Sequence, residues 1–222
     1  MNEEVAPLIN KLIHKSTEEK AGKKFHIGSL ENHDVIILET GIGKVNAAIG
    51  TTILNEVYQP EYIINTGCAG GFDSSLDIGD IVLSSEVRYH DVDLTLFGYD
   101  FGQIARMPAF YTPDKGLLNI AEQSASILNF NTKQGLIASG DIFVHTPEHV
   151  SKIQKKFINI CAAEMEACAI AHVCHVFKTP FLIIRSISDV VNKPNNKQSY
   201  EEFLLLASEK SANMITEMLK LI

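Results

Sequence analysis

Glu166 and Asp189 are the carboxyl side chains best placed to do chemistry. Glu166 is followed by Ile170, Val173 and Phe177, so on a helix over 164–177 all four share one apolar face. A carboxylate there points inward, where it is costly unless something pairs with it. Ligand hydroxyls are one such partner; the alternative is that a glutamate in a first helical turn complements the helix dipole. Asp189 follows a mostly apolar strand pattern. It either caps the next turn or is an acid kept protonated by low-dielectric surroundings. Two such carboxyls at neighbouring strand ends suit glycosidic bond cleavage, where one group activates water and the other protonates the leaving group.

Other candidates are weaker. Gly41-Ile42-Gly43-Lys44-Val45-Asn46 resembles a nucleotide loop, but Leu38 stands where a phosphate loop needs glycine and Val45 where it needs Ser or Thr. Asn46 replaces the third glycine of a dinucleotide fingerprint. What remains is a close turn entering a helix. In Thr66-Gly67-Cys68-Ala69-Gly70-Gly71, small residues let a ligand approach; Cys68 has no assignable activating base and reads as a packed thiol. His172 and His175 are three apart on a helix, with no further metal ligand at a recognisable spacing. Arg88-Tyr89-His90-Asp91 either lines a site or stabilises a loop.

Elements that position these groups follow from hydrophobic pattern. Short apolar runs at 35–38, 62–65, 135–138 and 181–184, with another at 80–84, suit buried strands. Helical patterns lie at 44–57, 115–128, 147–157, 164–177 and 200–221. Alternation of the two predicts an α/β fold in three α/β/α layers around a mixed, largely parallel sheet, as one domain over 1–222. In such sheets ligands bind beyond the strands' carboxyl ends, where the Gly-rich turns, Ser139-Gly140-Asp141 and Ser188-Asp189 all fall.

Composition fits a globular protein, with 45% hydrophobic and 21% charged residues. A formal net charge of -8 argues against nucleic acid or an anionic membrane as the main partner. No apolar run reaches membrane-spanning length, and the acidic start lacks a signal-peptide pattern. Cys68, Cys161, Cys168 and Cys174 show no CxxC spacing, which suits reduced thiols in the cytoplasm.

Taken together, these motifs resemble the 5′-methylthioadenosine/S-adenosylhomocysteine nucleosidases, within the purine nucleoside phosphorylase superfamily. The matching stretches are Met1-Asn2-Glu3-Glu4-Val5, Gly41-Ile42-Gly43-Lys44-Val45, Asn65-Thr66-Gly67-Cys68-Ala69-Gly70-Gly71 and Arg88-Tyr89-His90-Asp91. Ser139-Gly140-Asp141, Glu164-Met165-Glu166-Ala167 and Ser186-Ile187-Ser188-Asp189 complete them. The resemblance implies hydrolysis of 5′-methylthioadenosine, S-adenosylhomocysteine and 5′-deoxyadenosine to adenine and a 5-substituted ribose, without cofactor or metal. It implies that Asp189 protonates adenine N7, Glu4 activates water, and Glu166 holds the ribose hydroxyls beside Met165. It has Phe143 stack on adenine, the backbone of Val144 bond the purine edge, and Ile42 with Phe203 or Tyr200 contact the 5′ substituent. Cys68, Ala69, Gly70, Glu164 and Ser188 fall in the same substrate site. It further implies a homodimer, with Phe97 reaching the neighbouring site.

Two departures matter. Cys68 stands where the family commonly has Ser. The family also begins with a short apolar strand before the segment matching Met1-Asn2-Glu3-Glu4; either Met1 is an internal methionine, or the sheet lacks its first strand, with unpaired backbone groups and Glu4 on a frayable terminus. Two other activities therefore stand beside hydrolysis. Phosphorolysis needs an anion pocket, for which Arg88 and Arg185 are the candidates. Binding of adenosine derivatives without turnover follows if the strand is lost.

Overall fold

A computed structural model describes residues 2–191 and 196–222. Helix α1 (Asn2–Lys11) leads into an antiparallel sheet of β1 (Ile13–Lys20), β2 (Lys23–Leu30) and β3 (His33–Leu38). The β1–β2 turn, Ala21-Gly22, has φ of 50° and 69°, the left-handed pair that matches hairpin twist. Then come α2 (Lys44–Ile53), continued by a wider turn at Leu54–Tyr58, β4 (Ile63–Gly71), β5 (Ile81–Tyr89) and α3 (Lys115–Ile127). The chain closes with β6 (Thr132–Ser139), α4 (Pro147–Lys156), β7 (Ile160–Glu164), α5 (Ala167–Phe177), β8 (Phe181–Val190) and α6 (Asn196–Leu221). Side chains start two helices: Asp114 accepts the Leu117 N–H at 2.9 Å, and Thr146 accepts that of His149 at 3.2 Å ahead of Pro147.

The sheet is mixed, as expected. Parallel pairs join β4 to β8, β5 to β6 and β6 to β7; antiparallel pairs join β4 to β7 and β5 to β8. These five strands close into a barrel in the order β4-β7-β6-β5-β8, where the hydrophobic runs predicted a central, mixed, largely parallel sheet between helix layers. Run lengths carry no record of which edges meet. Helices cover both faces. Ile183 and Ile187 of β8 pack with Ala167, Ile170 and Cys174 of α5. The alternate residues Leu182 and Ile184 pack with Leu8 of α1, Leu117 of α3 and Met214 of α6.

Three boundaries shift. The small-residue run after Ile64 continues β4 to Gly71, and Ser186–Asp189 continue β8. Glu164 ends a strand, and α5 begins only at Ala167. The apolar-face argument gives Glu166 the right environment for the wrong reason, since Glu166 is the residue before the helix, with φ of -131°.

Among the described residues, β3 pairs on one side only, with β2, and the first half of β4 pairs on one side only, with β8. Between these edges runs a slot of about 1010 Å³ bordered by Val35, Ile37, Ile64, Val5, Leu8 and Leu219. Close-packed interiors leave no void of that size.

Candidate active site

The carboxyl ends of β4, β7 and β8 meet in one cavity lined by Glu4, Glu164, Glu166, Arg185 and Asp189. Cys68, Ala69, Gly70, Met165, Ser188, Ile42, Phe143 and Val144 also line it. Segments far apart in sequence thus converge, as the strand-end argument requires.

At its centre lies the Arg185 guanidinium. The residue is 3% exposed, and Nη2 donates to Glu164 Oε2 at 2.5 Å and to Asn65 Oδ1 at 2.6 Å. Burial alone would pull its pKa down; Glu164, Glu166 and Glu4 reverse that and hold it above the usual arginine value. Gly67 makes room for this cation. A methyl group there would collide with Arg185 Nη1 and lie 3.0 Å from Glu4 Oε1. Gly67→Ala is therefore expected to destabilise the fold by about 1–3 kcal/mol through overpacking, read as a lower urea midpoint. An unchanged midpoint would mean the guanidinium lies elsewhere.

Each carboxylate is held differently. Glu4 Oε1 accepts the Cys68 N–H at 2.9 Å, tying α1 to β4. Glu166 Oε1 accepts the Gly43 N–H at 2.8 Å. Gly43, at φ +91°, turns the chain into α2, so the close turn read from Gly41–Gly43 serves Glu166 and no phosphate. Burial, then the charge of Glu164, raise the Glu166 pKa to about 7, against the opposing pull of Arg185 and Gly43. Asp189 is also raised by burial, opposed by its hydrogen bond from Ser188 Oγ at 2.9 Å. Gly70 lies opposite Asp189 in the ladder, and a methyl there would sit 3.4 Å from Asp189 Oδ2. Glycine leaves that space to a ligand. Burial pushes the Cys68 thiol up to about 12, in keeping with a packed, unreactive thiol.

The role at the helix start considered for Glu166, complementing the dipole, falls to Glu164. Its Oε2 accepts the N–H groups of Glu166 and Ala167 at 3.0 and 2.9 Å. The next N–H, of Cys168, goes to Ser139 Oγ at 2.7 Å.

Several expected residues fall elsewhere. Phe203 is half-buried on α6 and is not among the cavity's lining residues. The Tyr200 side chain lies outside the described residues. Phe97 is 73% exposed on a short turn, Thr95–Phe97, and does not line the cavity. Asp91 ties loops together, accepting Lys44 Nζ at 2.6 Å and the Asp141 N–H at 2.9 Å. Arg88 pairs with Glu86 at 3.1 Å and lies over the Phe110 ring. His172 and His175 both pack on the Tyr111 ring; among the described residues no cluster of His, Cys, Asp or Glu could hold a metal. No described helix is long and apolar enough to cross a membrane.

Sequence reasoning missed Asn65, Ser139 and the central part of Arg185. One signal was available for Arg185: a lone cation inside Phe181-Leu182-Ile183-Ile184-Arg185 requires buried carboxylates. Nothing in spacing points from Gly43 to Glu166, 123 positions apart.

Known proteins are similar to this chain in sequence and fold. Residues 1–220 match the phosphorylase superfamily. A 5′-methylthioadenosine/S-adenosylhomocysteine nucleosidase of Halalkalibacterium halodurans is 50% identical, covering 97% of this chain and 93% of that protein. That of Chromohalobacter salexigens is 47% identical, covering 99% and 94%. The Neisseria meningitidis nucleosidase in complex with methylthio-immucillin-A superposes with a TM-score of 0.96 at 38% identity, covering 100% of this chain and 96% of that one. The Colwellia psychrerythraea nucleosidase in complex with adenine gives 0.94 at 46% identity, covering 99% and 91%.

Proposed function

Because this chain belongs to the phosphorylase superfamily, and within it to the 5′-methylthioadenosine/S-adenosylhomocysteine nucleosidases, we propose how its residues divide the reaction. The protein hydrolyses the N-glycosidic bond of 5′-methylthioadenosine and S-adenosylhomocysteine, releasing adenine and the 5-substituted ribose. The C1′–N9 bond breaks and its electron pair enters the adenine ring. Asp189, whose pKa burial raises, gives its proton to N7 so that a neutral base leaves. Glu4 takes a proton from water as the water oxygen bonds to C1′. Glu166 accepts the ribose hydroxyls, and its contacts strengthen as positive charge develops on the sugar. Two carboxyl groups in different surroundings take opposite proton roles.

The remaining assignments follow the same reading. Phe143 and Val144 face adenine, Met165 the sugar, and Ile42 the 5′ substituent. 5′-Deoxyadenosine, which shares base and sugar, belongs to the substrate class. We place the enzyme in the cytoplasm, where its four free cysteines stay reduced. We also read it as a homodimer, since Val45 and Val176 expose an apolar groove between α2 and α5 and Phe97 is free to reach a partner. The slot between β3 and β4 is where the additional strand expected from the resemblance would pair.

One observation carries water over phosphate as the nucleophile. The cavity's guanidinium is ringed by Glu4, Glu164 and Glu166, which would repel a phosphate dianion. Arg88 is spent on Glu86, and Lys44 on Asp91 and Asp141. Purified protein should release adenine from 5′-methylthioadenosine at a rate independent of added phosphate, with a free reducing sugar as co-product. A rate proportional to phosphate, with sugar 1-phosphate formed, would sink the hydrolytic reading. Binding without turnover is the second reading, favoured by the slot, because Val5 and Leu8 of the helix carrying Glu4 border it. Thermal stabilisation by substrate without adenine release would mark that case.

A further inference from the structure

We propose that Glu164 is a positioning residue that binds no substrate: it fixes the carboxyl of Glu166 and the guanidinium of Arg185 where ribose and water must meet them. The inference rests on the nucleosidase reading above and deepens it.

The first argument is capacity. An ionised carboxylate offers about four acceptor sites. Glu164 faces the cavity, yet Oε1 accepts Ser139 Oγ, and Oε2 accepts the Glu166 N–H, the Ala167 N–H and Arg185 Nη2. Three donors crowd Oε2 and one sits on Oε1; the single open position, on Oε1, belongs to a side chain only 4% exposed, which leaves little surface for a ribose hydroxyl.

The second argument is what those donors are. Glu164 is the last residue of β7 and pairs with Ser139 in the β6 ladder, so its backbone is fixed by the sheet. Its side chain, 4% exposed, then pins the two N–H groups that start α5. Ser139 Oγ takes the third from Cys168. The backbone of Glu166 is thereby set, and its side chain reaches across to Gly43. On its other flank Glu164 holds Arg185 against Asn65. One carboxylate thus connects the ribose-holding group to the cation beside Glu4.

Charge follows geometry. The charged groups facing Glu166 are Glu164 from β7, Arg185 from β8 and Glu4 from α1, with the Gly43 N–H opposite. Glu164 and Glu4 favour its protonated form; Arg185 and Gly43 favour its ionised form. Neutralising Glu164 removes a repulsion and frees Arg185, and both effects lower the pH at which Glu166 ionises.

Glu164→Gln tests this with two readouts. In the free protein, the Glu166 carboxyl carbon, observed with 13C-glutamate, should titrate at least one pH unit lower than in wild type. In adenine-release kinetics at pH 8.5, where Glu166 is ionised in both proteins, KM should rise at least fivefold and kcat should fall at least fivefold. An unmoved Glu166 titration, or wild-type KM and kcat in a variant that merely melts earlier, overturns the proposal. If the glutamine variant leaves buried Arg185 too poorly paired to fold, Ser139→Ala replaces it. That change keeps every charge and removes one donor to Glu164; KM should rise at least threefold at pH 8.5, and a wild-type KM overturns the proposal. The titration needs no turnover, so a wild-type protein that releases no adenine defeats the nucleosidase reading while the Glu166 shift still decides the role of Glu164.

Discussion

Asp189→Asn is expected to lower kcat about 10²–10⁴-fold, the usual contribution of a positioned general acid, with KM nearly unchanged. Asparagine keeps the shape and can still accept the Ser188 hydroxyl, but it has no acidic proton to give to the departing base. The pH dependence fixes the assignment. Burial holds the folded Asp189 above the ordinary aspartate value, so the active, protonated form is present at low pH and is lost as pH rises through that raised value. Wild-type kcat/KM should therefore fall on its alkaline side, and the asparagine variant should lose that limb. Adenine release measured across pH, with inhibitor affinity by calorimetry as a check on folding, reads both effects. A variant within tenfold of wild type would remove Asp189 from the chemistry.

Glu166→Gln should have opposite consequences for activity and stability. Hydrogen bonds to a charged group contribute about 1.5–3 kcal/mol, so loss of the carboxylate should raise KM roughly 10- to 100-fold. Stability should move the other way. The Glu166 pKa rises on folding from 4.5 to about 7. Its stabilising contribution is complete below about pH 4.5 and is lost as pH rises through 7. Above that, the buried charge costs on the order of 3 kcal/mol. Glutamine removes the charge and keeps an acceptor for the Gly43 N–H. Its melting temperature should exceed wild type at pH 8 and converge with it near pH 4.5. Thermal melts at the two pH values check this; a variant less stable at pH 8 would show that Glu166 is held by more than it costs. Binding sites commonly trade stability for function in this way.

How much of this was legible in sequence depends on whether the signal is local. The apolar runs ending at Leu38, Asn65 and Ile184 marked strands because buried strands need continuous apolar side chains. The starts of α3 and α4 fall where the helical patterns at 115–128 and 147–157 begin, and the structure shows Asp114 and Thr146 capping them. The continuation of β4 through Gly67, Gly70 and Gly71 was not legible, because glycine weakens every strand pattern; at Gly67 it yields space to Arg185. The exposed, charged β1 carried no apolar alternation at all. Glu166 and Asp189 were visible as misplaced carboxyls. The work of Glu164 was not, because it consists of bonds to Ser139 and Arg185, residues 25 and 21 positions away.

The slot between β3 and β4 also bears on how tightly a nucleoside can be held. The β1–β3 sheet is a unit of its own: among the described residues no backbone ladder joins it to the barrel, and the loop leaving β3 is tied across by the Gly43 N–H bond to Glu166. Leu38, Glu39, Thr40 and Ile42, one wall of the cavity, hang from that unit, while Cys68, Glu164 and Asp189 belong to the barrel. A nucleoside touching both walls adds to that tie. Its apparent dissociation constant is the intrinsic one divided by the fraction of molecules already closed, and whatever fills the slot tightens binding without touching the ligand.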